Sequence, residues 1–170
     1  MIAARAGRAL VGLPIVAALY FVIYRSPAQG SPVGRGVGGY LAGVARASAL
    51  IIRPFDQSVS VDRAHLSGRF ALEIVVDCAA FEVQAIFAAA VLVFPASWRR
   101  RLLGLATGLA LIGAFNVVRI ACLYLVGIHA PGWFHVLHEE VFQIGIVLGT
   151  CLMFGTWVYW ARRDHGLAPA

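Results

Sequence analysis

The amino-acid sequence predicts an all-α polytopic membrane protein with about four transmembrane helices, an outer amphipathic helix and a short β-hairpin. The first observation is composition: 61% of the residues are hydrophobic, 13% are charged and the mean hydropathy is +0.82, whereas soluble domains carry about 25% charged residues. The second is that long uncharged runs alternate with arginines, and the chain contains no lysine. Because 170 residues suffice for one domain and no repeat is visible, residues 1–170 are interpreted as a single membrane-embedded unit.

The apolar runs predict four spans, because crossing the hydrocarbon layer takes roughly 20 residues. The predicted spans cover residues 9–24, 79–98, 102–128 and 139–161. The first run, Ala9–Tyr24, follows Arg5 and Arg8, and a charged start before an apolar middle is also typical of a cleaved signal peptide. No clean small-residue cleavage site follows it, and Arg25 comes directly after the run, so we favour a retained span.

Arginine placement predicts how these spans are oriented. Three groups of arginines fall on one side of the membrane if there are four spans. They are Arg5 and Arg8, the Arg99–Arg101 triplet, and the Arg162–Arg163 pair. Positively charged flanks remain cytoplasmic, so residues 25–77 are expected to lie outside. The predicted location is a membrane, with the outer segment on the side away from the cytoplasm; the resemblance described below implies the bacterial inner membrane and its periplasmic face.

The outer segment combines an amphipathic stretch with two alternating stretches. Val37–Ile52 carries Arg46 and three glycines, which is typical of an interfacial helix; a fifth span is the alternative. Its predicted apolar side consists of Val37, Leu41, Val44 and Ile51. Ser58–Val61 and Phe70–Val75 alternate in polarity, which predicts a short hairpin with its turn at His65–Gly68.

The charges and cysteines exclude several classes of protein. A net charge of +6 suits either nucleic acid or an anionic membrane surface. Here the arginines flank apolar runs and do not form one basic face, so lipid is the expected partner and nucleic acid is not. Cys78, Cys122 and Cys151 form no CxxC pair and show no zinc-like spacing with histidine. Their odd number argues against a disulfide framework.

Three polar residues that are far apart in sequence are predicted to reach the same membrane depth. Cys78 lies at the outer start of the second predicted span, and His138 lies just before the fourth. Arg119 lies 17 residues after Leu102, which places it about 25 Å up a layer about 30 Å thick. The three side chains are therefore expected to meet near the outer boundary.

Cys78 is the candidate nucleophile among the three cysteines. A thiol attacks as its thiolate, which a helix N-terminus stabilises, and Cys78 follows an expected strand and precedes an expected helix. Cys151 lies well inside an apolar span and is predicted to be a small buried apolar residue. Cys122 lies one turn from Arg119 and stays open as a rival nucleophile.

Arg119 and His138 are the candidate partners of this thiol. A charged residue inside a span faces a partner or a cavity, and Arg119 would bind the oxyanion formed when a thiolate attacks a carbonyl. Asn116 shares its helix face and Glu82 is the expected counter-charge. His138 would act as general acid and base, oriented by Glu139, Glu140 or Asp77, although His129 and His135 in the same loop remain alternatives on spacing alone.

Over residues 68–161 the chain resembles the exosortase/archaeosortase family of integral-membrane cysteine transpeptidases, and most closely its short exosortase H-like branch. Four segments carry the resemblance, in order and between the predicted spans: Phe70–Glu82, Phe94–Gly104, Asn116–Ile120 and Pro131–Gln143. The invariant cysteine, arginine and histidine of that family fall on Cys78, Arg119 and His138. The resemblance thereby selects His138 among its neighbours.

The resemblance implies a peptidase or transpeptidase that needs neither metal nor organic cofactor. Its expected substrates are exported proteins that end in a short motif, a transmembrane helix and a basic tail. Cleavage at the motif passes the protein to an acceptor at the outer face. The chain departs from the family in one respect, since Ala79 and Ala80 stand where Asn-Gly or Ser-Gly is usual.

Two other classes of function stay open at the level of sequence. A non-catalytic membrane subunit or scaffold of a cell-envelope assembly would use the same polar residues to hold helices together. A small transporter would also place an arginine and a glutamate inside the membrane. The chain lacks the duplicated halves typical of transporters, which makes the scaffold the main alternative.

Overall fold

The computed structural model describes residues 31–163, so the predicted span 9–24 lies outside the described residues. The described part is mostly helical and has a small three-stranded antiparallel sheet with strand order β1-β2-β3. The helices are α1 (Pro32–Ile52), α2 (Phe81–Val93), α3 (Trp98–His129) and α4 (Phe142–Arg163), and the strands are β1 (Ser60–Asp62), β2 (His65–Ser67) and β3 (Leu72–Glu73).

Two helical stretches are long and apolar enough to cross a membrane: α3, and the continuous stretch Pro131–Arg163 that ends in α4. The predicted spans 102–128 and 139–161 lie within them. The two helices pack antiparallel, because Gly104 of α3 contacts Trp157 of α4 and the backbone carbonyl of Arg100 accepts a hydrogen bond from the Trp157 indole at 3.2 Å. Gly108 likewise leaves room for Phe87 of α2.

The second predicted span, residues 79–98, is wrong in its length. Helix α2 contains 13 residues, which rise about 20 Å and fall short of a hydrocarbon layer about 30 Å thick. It ends at Val93 because Pro95 follows: the residue before a proline is disfavoured in helical conformation, and Phe94 has φ −64° and ψ 136°. The chain then restarts as α3 at Trp98.

Helix α1 begins where the sequence supplies a cap, since the backbone N–H of Gly34 donates to the Ser31 hydroxyl at 2.9 Å and Pro32 suits the first turn. Its buried face is formed by Leu41, Val44, Ala45, Ser48, Ala49 and Ile52. The prediction that Ile51 belongs to this face is wrong: Ile51 is exposed, because the buried positions recur every three to four residues and end on Ile52. Ser48 is fully buried and donates a hydrogen bond to the Val117 carbonyl at 3.2 Å.

The strands differ from the predicted hairpin in where the turn lies. Residues 65–68 do not form the turn, since His65–Ser67 is itself strand β2, paired with both β1 and β3. The β1–β2 turn falls at residues 63–64, where Arg63 takes a positive φ of 51°. Leu66 at the centre of β2 is fully buried, so hydrophobic burial sets this register.

A buried carboxylate fastens this outer segment to α3. Asp56 is 4% exposed and accepts hydrogen bonds from the Ser58 hydroxyl at 2.6 Å and from the Tyr124 hydroxyl of α3 at 2.8 Å. The backbone N–H groups of Ser58 and Arg69 donate to it as well, at 3.0 and 3.1 Å. The Ser58 hydroxyl is the largest cause that lowers the pKa of Asp56 from 3.8 to about 2, and burial opposes it.

This carboxylate predicts an acid-dependent stability. A depressed pKa means that ionised Asp56 stabilises the folded state fully above pH 3.8 and that this contribution is lost as the pH falls through about 2. We expect the melting temperature of the wild-type chain to fall between about pH 4 and 2, and that of Asp56→Asn to be lower at neutral pH with a flatter dependence. Thermal unfolding followed by near-ultraviolet circular dichroism measures both. Parallel curves for the two proteins would contradict this role.

Candidate active site

Cys78 lies on a tight connection between the sheet and α2. After β3 the chain forms a 3-10 turn at Val76–Ala79, in which the Cys78 N–H donates to the Val75 carbonyl at 2.9 Å. Ala80 then adopts the left-handed conformation, with φ 56° and ψ 22°, which costs a non-glycine residue about 1 kcal/mol. The side chain of Cys78 is half-buried at this junction.

His138 approaches this thiol from the other side of the site. Its Nε2 lies 3.6 Å from the Cys78 Sγ, although the two residues are 60 positions apart. His138 belongs to a π-helical turn at Leu137–Val141, directly before α4. Such a turn holds one extra residue and occurs often at functional sites. The sequence analysis expected the two residues to meet, but not this turn.

An aromatic stack holds the imidazole of His138. The ring of Phe134 is stacked on it with a centroid separation of 5.8 Å and an interplanar angle of 7°. Phe70 contacts Phe134 at 5.5 Å and Tyr124 at 6.0 Å, and Gly127 makes room, since a Cβ there would lie 2.6 Å from the Phe70 ring. This role of Phe134 was not predicted from the sequence. The one feature that could have suggested it is the four-residue spacing between Phe134 and His138, which places the two rings on one face of a helix.

Arg119 and Asn116 complete the cluster from α3. Asn116 is fully buried and its Nδ2 donates to the Cys78 carbonyl at 2.9 Å. Arg119 is 4% exposed. Its Nη1 donates to the Asn116 Oδ1 at 3.5 Å and its Nη2 to the His138 carbonyl at 3.4 Å. Within residues 31–163 the buried Nε of Arg119 has no hydrogen-bond partner, which is rare for a buried donor.

These side chains surround a pocket with a volume of about 380 Å³, which is large enough to hold a peptide bond. Its lining consists of Val75, Asp77, Cys78, Glu82, Arg119, His138, Glu139 and Gln143. Gln143 was not predicted as a site residue. Its position as a polar residue near the start of an apolar helix is the feature of the sequence that could have suggested it. The expected supporting residues Glu82 and Glu139 both line the pocket.

The acidic neighbours do not orient the imidazole in the way that the sequence analysis expected. Glu139 Oε2 lies 3.2 Å from Nε2 of the exposed His135. In the part of the chain that the structure describes, neither Glu139, Glu140 nor Asp77 hydrogen-bonds the ring of His138. The stacked Phe134 ring and the π turn are instead the features that set its position.

The other two cysteines lie elsewhere. Cys122 is half-buried on α3, and Cys151 is exposed on α4. The prediction that Cys151 is buried is wrong, because the packed face of α4 passes through Ile146, Trp157 and Ala161 and leaves position 151 on the outside. Of the three thiols, Cys78 is the one with a histidine nitrogen as its partner among the described residues.

The cluster contains the parts that acyl transfer through a thiol requires: a sulfur nucleophile, a nitrogen base beside it, and a cationic donor facing the same space. Among the described residues, no three histidine, cysteine or acidic side chains are grouped as a metal site would need. Searches of protein-family models, of curated proteins and of solved structures found no match to this chain.

Proposed function

We propose that this chain is an integral-membrane cysteine peptidase or transpeptidase, with Cys78 as nucleophile, His138 as general acid and base, and Arg119 as oxyanion donor. One observation carries the proposal: the Cys78 Sγ lies 3.6 Å from the His138 Nε2 in a pocket that Arg119 also lines. A thiol that serves only for packing needs no imidazole nitrogen and no buried guanidinium beside it.

In the first half of the reaction the neutral imidazole of His138 accepts the thiol proton at Nε2. The Cys78 sulfur then attacks the carbonyl carbon of the substrate, so that a carbon–sulfur bond forms and the carbonyl oxygen becomes an oxyanion. The guanidinium of Arg119, which lines the pocket, donates to that oxygen. Collapse of the intermediate breaks the carbon–nitrogen bond, and the imidazolium gives its proton to the leaving amine.

In the second half an acceptor amine, or water, attacks the thioester. His138 takes the proton of the attacking group, the new carbon–nitrogen or carbon–oxygen bond forms, and the carbon–sulfur bond breaks. The Cys78 sulfur leaves as a thiolate. The proton that His138 has taken then stays on the imidazole or moves to the sulfur, which restores the starting state. Phe134 would keep the ring in line with the sulfur through both halves.

Within this class we propose an enzyme of the exosortase/archaeosortase kind. The cysteine, arginine and histidine that carry the resemblance all line one pocket. Its substrates would be exported proteins with a C-terminal motif, a transmembrane helix and a basic tail. The enzyme would lie in the bacterial inner membrane, with the site at the periplasmic face. Ala80 supports the comparison, since its left-handed backbone is the conformation that glycine adopts freely.

The experiment that tests the proposal is detection of the acyl-enzyme. Exported proteins of the source organism that end in a motif, an apolar helix and a basic tail are expressed as tagged probes and incubated with the purified chain. We expect one of these tailed probes to be cleaved, and intact-mass and peptide analysis to find an acyl adduct on Cys78 that neutral hydroxylamine removes. Cleavage with no adduct, or an adduct on Cys122, would contradict the assignment of the nucleophile.

A scaffold is the second candidate, and the Arg119 contacts favour it specifically. Hydrogen bonds to the Asn116 amide and the His138 carbonyl join α3 to the turn before α4, as polar groups do between membrane helices. A scaffold would show no acyl adduct with any tailed probe. It would also tolerate replacement of the Cys78 sulfur, because the hydrogen bonds that join α3 to the turn before α4 do not involve that atom.

A further inference from the structure

A continuous apolar groove follows the α3–α4 pair away from the candidate active site. Its upper part has a volume of about 390 Å³ and includes Phe115, Val118 and Gly149. Its lower part has a volume of about 560 Å³ and includes Thr107 and Trp160. Met153 lines both parts, so the two form one surface.

The upper end of this groove lies next to the reacting groups and shares lining residues with the cavities around them. Ile146 lines the groove and also a small cavity that contains Arg119 and Gln143. Both of those residues line the pocket of Cys78 and His138 as well. The lower end reaches Leu103, near the start of α3. The 15 residues from Leu103 to Val118 rise about 22 Å, so the groove follows most of the thickness of a hydrocarbon layer.

The floor of the upper groove is a pair of glycines with open space above it. A Cβ added at Gly149 would meet no atom within 4 Å, and one at Gly145 would meet only the Phe115 ring at 3.8 Å. On the facing helix α3, the glycine pair with this spacing, Gly104 and Gly108, is already filled by Trp157 and Phe87. Glycines four residues apart let a second helix approach closely inside a membrane.

We propose that this groove seats the transmembrane helix of the polypeptide whose peptide bond is presented to Cys78. The inference rests on the proposed function and assigns a binding surface to it. A chain that leaves the active-site pocket along a surface open to lipid must satisfy its own backbone hydrogen bonds, and a helix is the conformation that does so. The groove is linked to the pocket through shared lining residues, Ile146, Arg119 and Gln143. This link favours a substrate helix as the occupant, because a substrate must place its peptide bond at Cys78. A second copy of this chain has no segment that must lie there.

The test compares two probes and two leucine variants of the full chain. The first probe is the tailed protein that forms the acyl-enzyme, and the second is the same protein truncated before its apolar helix. Gly149→Leu fills the groove, and Gly155→Leu is the matched control on the same helix, since a Cβ at Gly155 also meets nothing within 4 Å and Gly155 does not line the groove.

We expect Gly149→Leu to raise KM for the tailed probe at least about tenfold and to leave cleavage of the truncated probe within about twofold. Gly155→Leu should leave both unchanged. An unchanged KM for the tailed probe in Gly149→Leu would overturn the docking surface, and so would an equal loss with both probes. If the wild-type chain cleaves neither probe, the proposed function itself fails, which is a different result.

Disulfide trapping identifies the occupant directly. In a Gly149→Cys variant that also carries Cys78→Ala, Cys122→Ala and Cys151→Ala, we expect oxidation to join position 149 to a single cysteine placed in the helix of the tailed probe. A cross-linked dimer of the chain in place of that adduct would overturn the proposal. The same holds for preferential linkage to a cysteine introduced within residues 9–24.

Discussion

Replacement of Cys78 by alanine should abolish processing of the tailed probe, with a loss of at least about 10⁴-fold in kcat. The reason is chemical: no other thiol among the described residues has a histidine nitrogen within 3.6 Å, so the acyl-enzyme cannot form elsewhere. The change removes one sulfur atom from a half-buried side chain, and the contact of Asn116 with the Cys78 backbone carbonyl is retained. The fold should therefore survive. Conversion of the probe on a gel, followed over time, measures the loss.

The matched controls are Cys122→Ala and Cys151→Ala. Cys122 shares α3 with Arg119, and Cys151 is exposed on α4, so each variant removes a thiol from the same protein without touching the pocket. Both should process the tailed probe at the wild-type rate. If Cys78→Ala processes the probe normally while Cys122→Ala does not, the rival nucleophile is correct and the assignment of Cys78 is wrong.

Replacement of Arg119 by lysine should lower kcat by about 10²–10³-fold, which is the usual effect of losing one oxyanion donor. Lysine keeps the positive charge but has no planar fork. A single ammonium group cannot reach the Asn116 Oδ1, the His138 carbonyl and the substrate oxygen together, as the forked guanidinium can. The loss should appear in kcat, with KM changed little, because the interaction is made in the transition state.

Arg99→Lys is the control for this variant, since Arg99 is exposed at the start of the same helix. It should leave kcat unchanged. Thermal unfolding of Arg119→Lys separates an effect on catalysis from an effect on folding. If Arg119 only holds the helices together, the variant should have a lower melting temperature, and neither it nor the wild-type chain should process the probe. A normal kcat in Arg119→Lys would show that the guanidinium geometry is not needed for the reaction.

The meeting of Cys78, Arg119 and His138 was predictable from the sequence because a helix has a fixed rise. Counting residues from the arginine cluster at the start of α3 places Arg119 high on its helix, and apolar run lengths place the other two residues at helix starts. The same regularity predicts the stretches that became α3 and α4. Spacing alone could not select His138 from its neighbours, and the resemblance supplied that choice.

Most of the features that the sequence did not predict depend on tertiary packing. The early end of α2 follows from Pro95 and could have been anticipated, but the register of the sheet depends on the burial of Leu66. The stacked Phe134 and the π turn that carries His138 leave no periodic signal. The groove is equally hidden, because a glycine pair in the sequence does not reveal whether another side chain fills it, as Trp157 does at Gly104.

The pairing of the Cys78 sulfur with the His138 imidazole is tested most directly by the rate of thiol alkylation. A membrane-impermeant iodoacetamide reagent is applied between pH 5 and 9, and each cysteine is quantified by peptide mass spectrometry in the wild-type chain and in His138→Gln. The account predicts that Cys78 reacts fastest of the three at neutral pH and that His138→Gln slows it at least about tenfold there. Equal rates in the two proteins across this range would contradict it.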